Sequence, residues 1–97
     1  MATLSLNSQQ DMEKIARLDF KNVDVLLTKR EKVIRHANLL KAVVLDSLHN
    51  AEVVITVEDK ESLKKLRARI IATGDERVML DKGISIPLQC IRHVEFP

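Results

Sequence analysis

Few side chains in this sequence can do covalent or coordination chemistry: one cysteine, Cys90, and three histidines, His36, His49 and His93. His93 follows Cys90 by three positions and is the nearest imidazole in sequence, the first partner to consider for a thiol–imidazole pair. The competing reading makes Cys90 a small buried apolar residue in the turn before the last strand, and it is preferred. A thiol enzyme using Cys90 is thus the remote alternative, and no catalytic residue is assigned. The histidines are far apart, neither Cys-x-x-Cys nor His-x-x-x-His occurs, and the acids are scattered, so neither a metal site nor a cofactor is expected. Gly74 and Gly83 stand alone in turns and do not form a phosphate cradle.

The basic residues are better grouped. Lys29, Arg30, Lys32 and Arg35 crowd the start of a helix against one acid, Glu31. Cations there oppose the helix dipole, and an anionic partner would relieve that. Lys65, Arg67 and Arg69 alternate along a strand and add a second stripe. The seven together are the candidate anion or nucleic-acid surface, with affinity that should fall as salt rises. The bland reading is a solvated face, its second stripe paired with Glu52, Glu58, Asp59 and Glu61.

The elements that must position these groups can be read in order. Residues 1–27 make a poorly defined arm, frayed over the first ten or so, with Ser8 and Asp11 able to cap a short helix carrying Met12, Ile15 and Ala16. Broken alternation from Leu18 to Leu27 suits an extended segment laid on something apolar. Thr28-Lys-Arg-Glu31 is a capping box, and Val33, Ala37, Leu40, Val44 and Leu48 then fall on one stripe, predicting a helix over about 29–48 with that stripe inward. Ala42–Leu45 is apolar all round, so that part of the helix should be buried on more than one side. Asn50 can close the helix in the left-handed conformation. Glu52–Glu58 alternates as a strand and 58–62 is a polar turn. Leu63–Thr73 fits a strand with Leu66, Ala68, Ile70 and Ala72 inward, or a helix; strands on both sides favour the strand. Arg77–Asp81 pairs back through the Lys82-Gly83 turn with Ile84–Ile86, Pro87 interrupts the ladder, Leu88–Ile91 fits one helical turn, and Ile91–Phe96 is the closing strand.

Composition sets the frame. Ninety-seven residues, 45% apolar and 31% charged, suit one soluble domain rather than a disordered chain. Two phenylalanines and no Trp or Tyr leave the core to aliphatic residues and remove the stacking platforms of single-strand binders. A lone cysteine, no N-terminal apolar region of signal-peptide type and a longest apolar run of Ala42–Leu45 lead to an expectation of a reducing cytoplasm and no membrane span. A net charge of +2 does not by itself imply nucleic acid.

The order helix, two long strands, short hairpin, Ile86-Pro87-Leu88 corner and closing strand resembles SH3-like small barrels, within them the Sm-like and Rof-like group. Thr73–Val94 also looks like a set of short uncharacterised bacterial proteins with Val-x-Leu, Gly, Ile-Pro-Ile/Leu and Ile-x-x-Val in succession. The resemblance covers roughly residues 28–96, favours the strand over 63–73, and rests on architectural motifs. Asp59-Lys60 stands where Sm-type chains carry Asp-Gly, and Ala68 or Ala72 where they carry a bend-permitting glycine. No base pocket maps, so ring assembly and RNA binding pass to no residue.

The expectation is therefore an α+β, mainly β domain over residues 28–97. The helix of about 29–48 packs on a five-stranded SH3-like or Sm-like barrel of about 51–96. Its expected role is a non-enzymatic interaction or regulatory module binding protein or nucleic acid, without a small-molecule substrate. A structural, self-associating homo-oligomer whose arm covers a neighbour's sheet edge is the alternative.

Overall fold

The computed structural model describes residues 3–97. Local signals account for the long helix. Thr28 caps it by accepting from the Glu31 N–H, Glu31 reaches back to the Thr28 N–H, and Asn50 ends it at φ 51°, donating its N–H to the Asp46 carbonyl. Between these caps runs α2, Lys29–His49. It has the expected bounds, yet it faces the other way. Its buried residues are Arg35, Leu39, Ala42 and Asp46, whereas Val33, Ala37, Leu40, Val44 and Leu48 are all exposed. At 3.6 residues per turn the two sets lie on nearly opposite sides of the helix. Burial on more than one side near its C-terminal end holds in part: Ala42 is buried and Val43 and Leu45 are half-buried on either side of it, but Val44 is 56% exposed.

The β-branched alternation after the helix gives β2, Val53–Glu58, and the ambiguous segment is extended: β3, Leu63–Ala68, and β4, Ile70–Thr73. β5 (Arg77–Leu80), β6 (Ser85–Pro87) and β7 (Ile91–Glu95) follow. The N-terminal segment is also built into the fold. Alternating Leu4 and Leu6 point inward from β1, Thr3–Ser5, and Ser8 caps α1, Gln9–Ala16, whose Ile15 joins the core. The signal for β1 was the apolar alternation at 4 and 6, submerged in an otherwise small and polar stretch. Leu18 and Phe20 pack on the core and Val25 and Leu26 are buried, so this arm lies on its own chain.

The strands form two sheets, ordered β1-β3-β2-β7 and β4-β5-β6, with β1 parallel to β3 and every other pairing antiparallel. They do not close into the expected five-stranded barrel, since no ladder joins β6 to β7 among the described residues. What connects the sheets is Arg69, the single residue between β3 and β4. There the Arg69 N–H donates to the Asp81 carboxylate at 3.2 Å and the Asp81 N–H to the Arg69 carbonyl at 3.1 Å, while the Arg69 guanidinium pairs with Asp46 of α2. Leu66, Ala68 and Ile70 are buried through the bend as alternation requires; Ala72, expected inward, is exposed. A register shift between Ile70 and Ala72 in the β4–β5 ladder breaks the period there.

Two turns depend on special chemistry. Asp59 is buried and its carboxylate accepts from the N–H groups of Glu61 and Ser62, shaping the β2–β3 turn without glycine. In the β5–β6 hairpin Lys82 and Gly83 both have positive φ, 62° and 75°. Space around Gly83 is open, so only its backbone conformation resists a side chain. Gly83→Ala should therefore cost about 1 kcal/mol, read from the urea midpoint, with the native fold retained. An unchanged midpoint would mean the turn relaxes out of the left-handed region.

Candidate functional site

Two of the seven candidate cations, Arg35 and Arg69, are structural, and a third, Lys65, is held in a surface ion pair. Arg35 is 6% exposed and grips Asp24 through two parallel bonds, Nη1 to Oδ1 at 2.9 Å and Nη2 to Oδ2 at 2.7 Å. Its Nη1 also donates to the Ile91 carbonyl at 3.1 Å. One guanidinium thus joins the arm, α2 and the first residue of β7. Partial burial pushes the Asp24 carboxyl up, but the Arg35 hydrogen bonds, the Leu26 N–H and the charges of Arg35 and Lys32 outweigh it and hold it below its ordinary value. Arg69 is bound to Asp46 and reaches the Asn50 side chain, and Lys65 lies 3.4 Å from Glu95.

Lys29, Arg30, Lys32 and Arg67 are exposed and take part in none of the ion pairs found among the described residues. They do not form one surface. Arg67 lies on the outward side of β3 beside Lys65, and β2 separates that strand from β7, against which α2 is anchored. The two basic clusters expected to act together are therefore on different elements.

The thiol is equally confined. Cys90 is fully buried in the 3-10 turn Leu88–Cys90, its Sγ 2.9 Å from the Pro87 carbonyl, and burial pushes it up to about 12. His93 is exposed on β7 and its backbone pairs opposite Thr56, so Cys90 and His93 are not brought together for catalysis. No group of three metal-ligating side chains occurs among the described residues, and no described helix is long and apolar enough to cross a membrane.

The surface that stands out was assigned to the core by its spacing. Val33, Leu40, Val44 and Leu48 are 59%, 46%, 56% and 69% exposed, with exposed Ala37 among them and Ile34 at the margin. They form a single ridge along α2. Its N-terminal end is flanked by Lys29, Arg30 and Lys32, and Lys41 lies at its side with Nζ 4.5 Å from the Phe96 ring centre. A cleft of about 780 Å³ lies elsewhere, between α1 and the β2–β3 turn, where Leu4, Leu18 and Leu63 meet Lys14, Arg17 and Glu61.

No family model, curated protein or solved structure matches the chain.

Two outcomes test this geometry. Asp24→Ala leaves the Arg35 guanidinium buried without its carboxylate and should cost about 3 kcal/mol in urea unfolding. Because the folded Asp24 carboxyl is held low, its contribution is present above the ordinary carboxylate range and is lost as pH falls from there through its lowered folded value. Wild type and variant should therefore converge in stability toward acid, and a constant gap would separate the loss from the ion pair. Cys90 should resist alkylation in native protein at pH 8 and react at once in urea; rapid native labelling would show an accessible thiolate.

Proposed function

We propose that this chain is a non-enzymatic interaction module that docks a partner through the outward side of α2. What carries this is the ridge itself: five apolar residues at 33, 37, 40, 44 and 48, exposed on a helix whose opposite side is already anchored. Scattered exposed leucines and valines are ordinary on protein surfaces. A contiguous row of them at near-heptad spacing is the pattern that helix-against-helix contacts use. The cations at its N-terminal end supply the polar rim such a contact has.

An open, two-sheet variant of the SH3-like small-barrel architecture goes with this reading. It is supported by one strand, bent at Arg69 and shared between two sheets, and by the single 3-10 turn that leads into β7. A cytoplasmic setting suits a free, buried thiol. Exposed Lys29, Arg30 and Lys32, which make no ion pair among the described residues, favour a second reading in which the same end of α2 contacts phosphate.

Affinity capture from lysate, with and without nuclease, distinguishes these. Proteins retained by the wild type should survive nuclease and be lost on Leu40→Glu, a substitution at a half-exposed position that should leave the fold intact. Retention lost to nuclease alone favours the phosphate reading. A captured set unchanged by Leu40→Glu removes the ridge from any role.

A further inference from the structure

We infer that the occupant of the α2 ridge is a second copy of this chain, packed helix against helix and antiparallel about a two-fold axis near Leu40. This rests on the ridge being a docking surface and names what docks there.

Area gives the first support. Side chains of the Val, Ile and Leu class each remove about 60–120 Å² of apolar surface from water when fully buried. Ala37, Val33, Ile34, Leu40, Val44 and Leu48 at their observed exposures therefore offer apolar surface of about 200–350 Å². A standard interface covers about 800 Å² per partner, rather more than half of it apolar. The ridge supplies roughly half or more of that apolar share, and the aliphatic stems of Lys29, Arg30 and Lys41 extend it toward the rest.

Self-complementarity gives the second. An isologous contact requires a patch that matches itself after a half-turn. Antiparallel pairing about Leu40 sets Val33 against Leu48 of the second copy, Ala37 against Val44, and Leu40 against its own equivalent. Each small residue meets a larger one, and Ala37 lets the axes approach to about 8–10 Å. The ridge from 33 to 48 is about 23 Å long, so the pairs at its two ends are far apart and fix the direction.

Charge gives the third. A parallel pair would place Lys29, Arg30 and Lys32 of both copies together. The antiparallel pair places Lys29 and Arg30 beside the carbonyl end of the other helix, residues Ser47 to Asn50, with Glu52 just beyond. Cations there meet the negative end of the helix dipole instead of one another.

Sedimentation of the full chain across the micromolar range tests this. Wild type should run as two chains. Leu40→Glu should run as one, with its dimer Kd raised roughly 100-fold or more because a carboxylate would be buried on the axis. Its circular dichroism and thermal midpoint should stay at the wild-type values; should it unfold, Val44→Lys carries the same test. Direction is read by disulfide trapping. A mixture of Val33→Cys and Leu48→Cys chains should cross-link, and Val33→Cys alone should not. A wild type that stays monomeric, or ridge variants that remain dimeric, overturns the second copy as occupant, and Val33→Cys linking with itself as fast as the mixture overturns the antiparallel arrangement. A monomeric wild type whose captured proteins are lost on Leu40→Glu would keep the docking surface and reject only this partner.

Discussion

The orientation of α2 depends on a buried guanidinium. Arg35 is taken out of water, and that is tolerable only because Asp24 meets it with both carboxylate oxygens and the Ile91 carbonyl takes a further bond. The arm, the helix and the first residue of β7 are consequently tied at one point. A second tie, between Asp46 and Arg69, lies eleven residues further along the same side of the helix. With Leu39 and Ala42 between them, these two pairs define the inward face of α2. The apolar ridge is on the outside because the side opposite it holds both charged anchors.

The second anchor serves the sheets as well. Arg69 is where one long strand leaves the first sheet and enters the second, and its backbone is held by Asp81 while its side chain is held by the helix. Glycine is the usual means of bending a strand; here a charged residue does so because Asp81 and Asp46 both bind it. Nearby, Pro87 ends the β6 ladder and Cys90 fills the turn before β7 as a neutral, buried thiol. The Ile-Pro-Leu corner is thus architecture.

Much of this was legible locally. Thr28, Glu31 and Asn50 bound α2 because capping is a matter of a few adjacent residues, and Ser8 with Asp11 did the same for α1. The alternation of β2 and the Lys82-Gly83 turn needed no distant partner. The candidate cation surface was less legible. Arg35 and Arg69 look like Lys29 and Arg30 in the sequence, and only their partners, 11 and 23 residues away, turn them into structural groups. The strand β1 was hidden because Leu4 and Leu6 find their neighbours in β3, some sixty residues later.

The sequence by itself determined most of the elements, though not β1 or the division of the long strand at Arg69: the caps of α2, the turns, an aliphatic core with few aromatics, and the place of the corner before the closing strand. Tertiary structure decided which side of α2 faces in, where the long strand bends, which cations remain free, and that the strands form two sheets instead of a closed barrel. The reason is physical. Helix and turn formation are governed by hydrogen bonds between near neighbours, which the local residue types specify. The inward side of a helix is chosen by its total interaction with the rest of the chain, and here Leu39 and Ala42, half-buried Val43 and Leu45 and two ion pairs make that contact while a longer apolar stripe faces out.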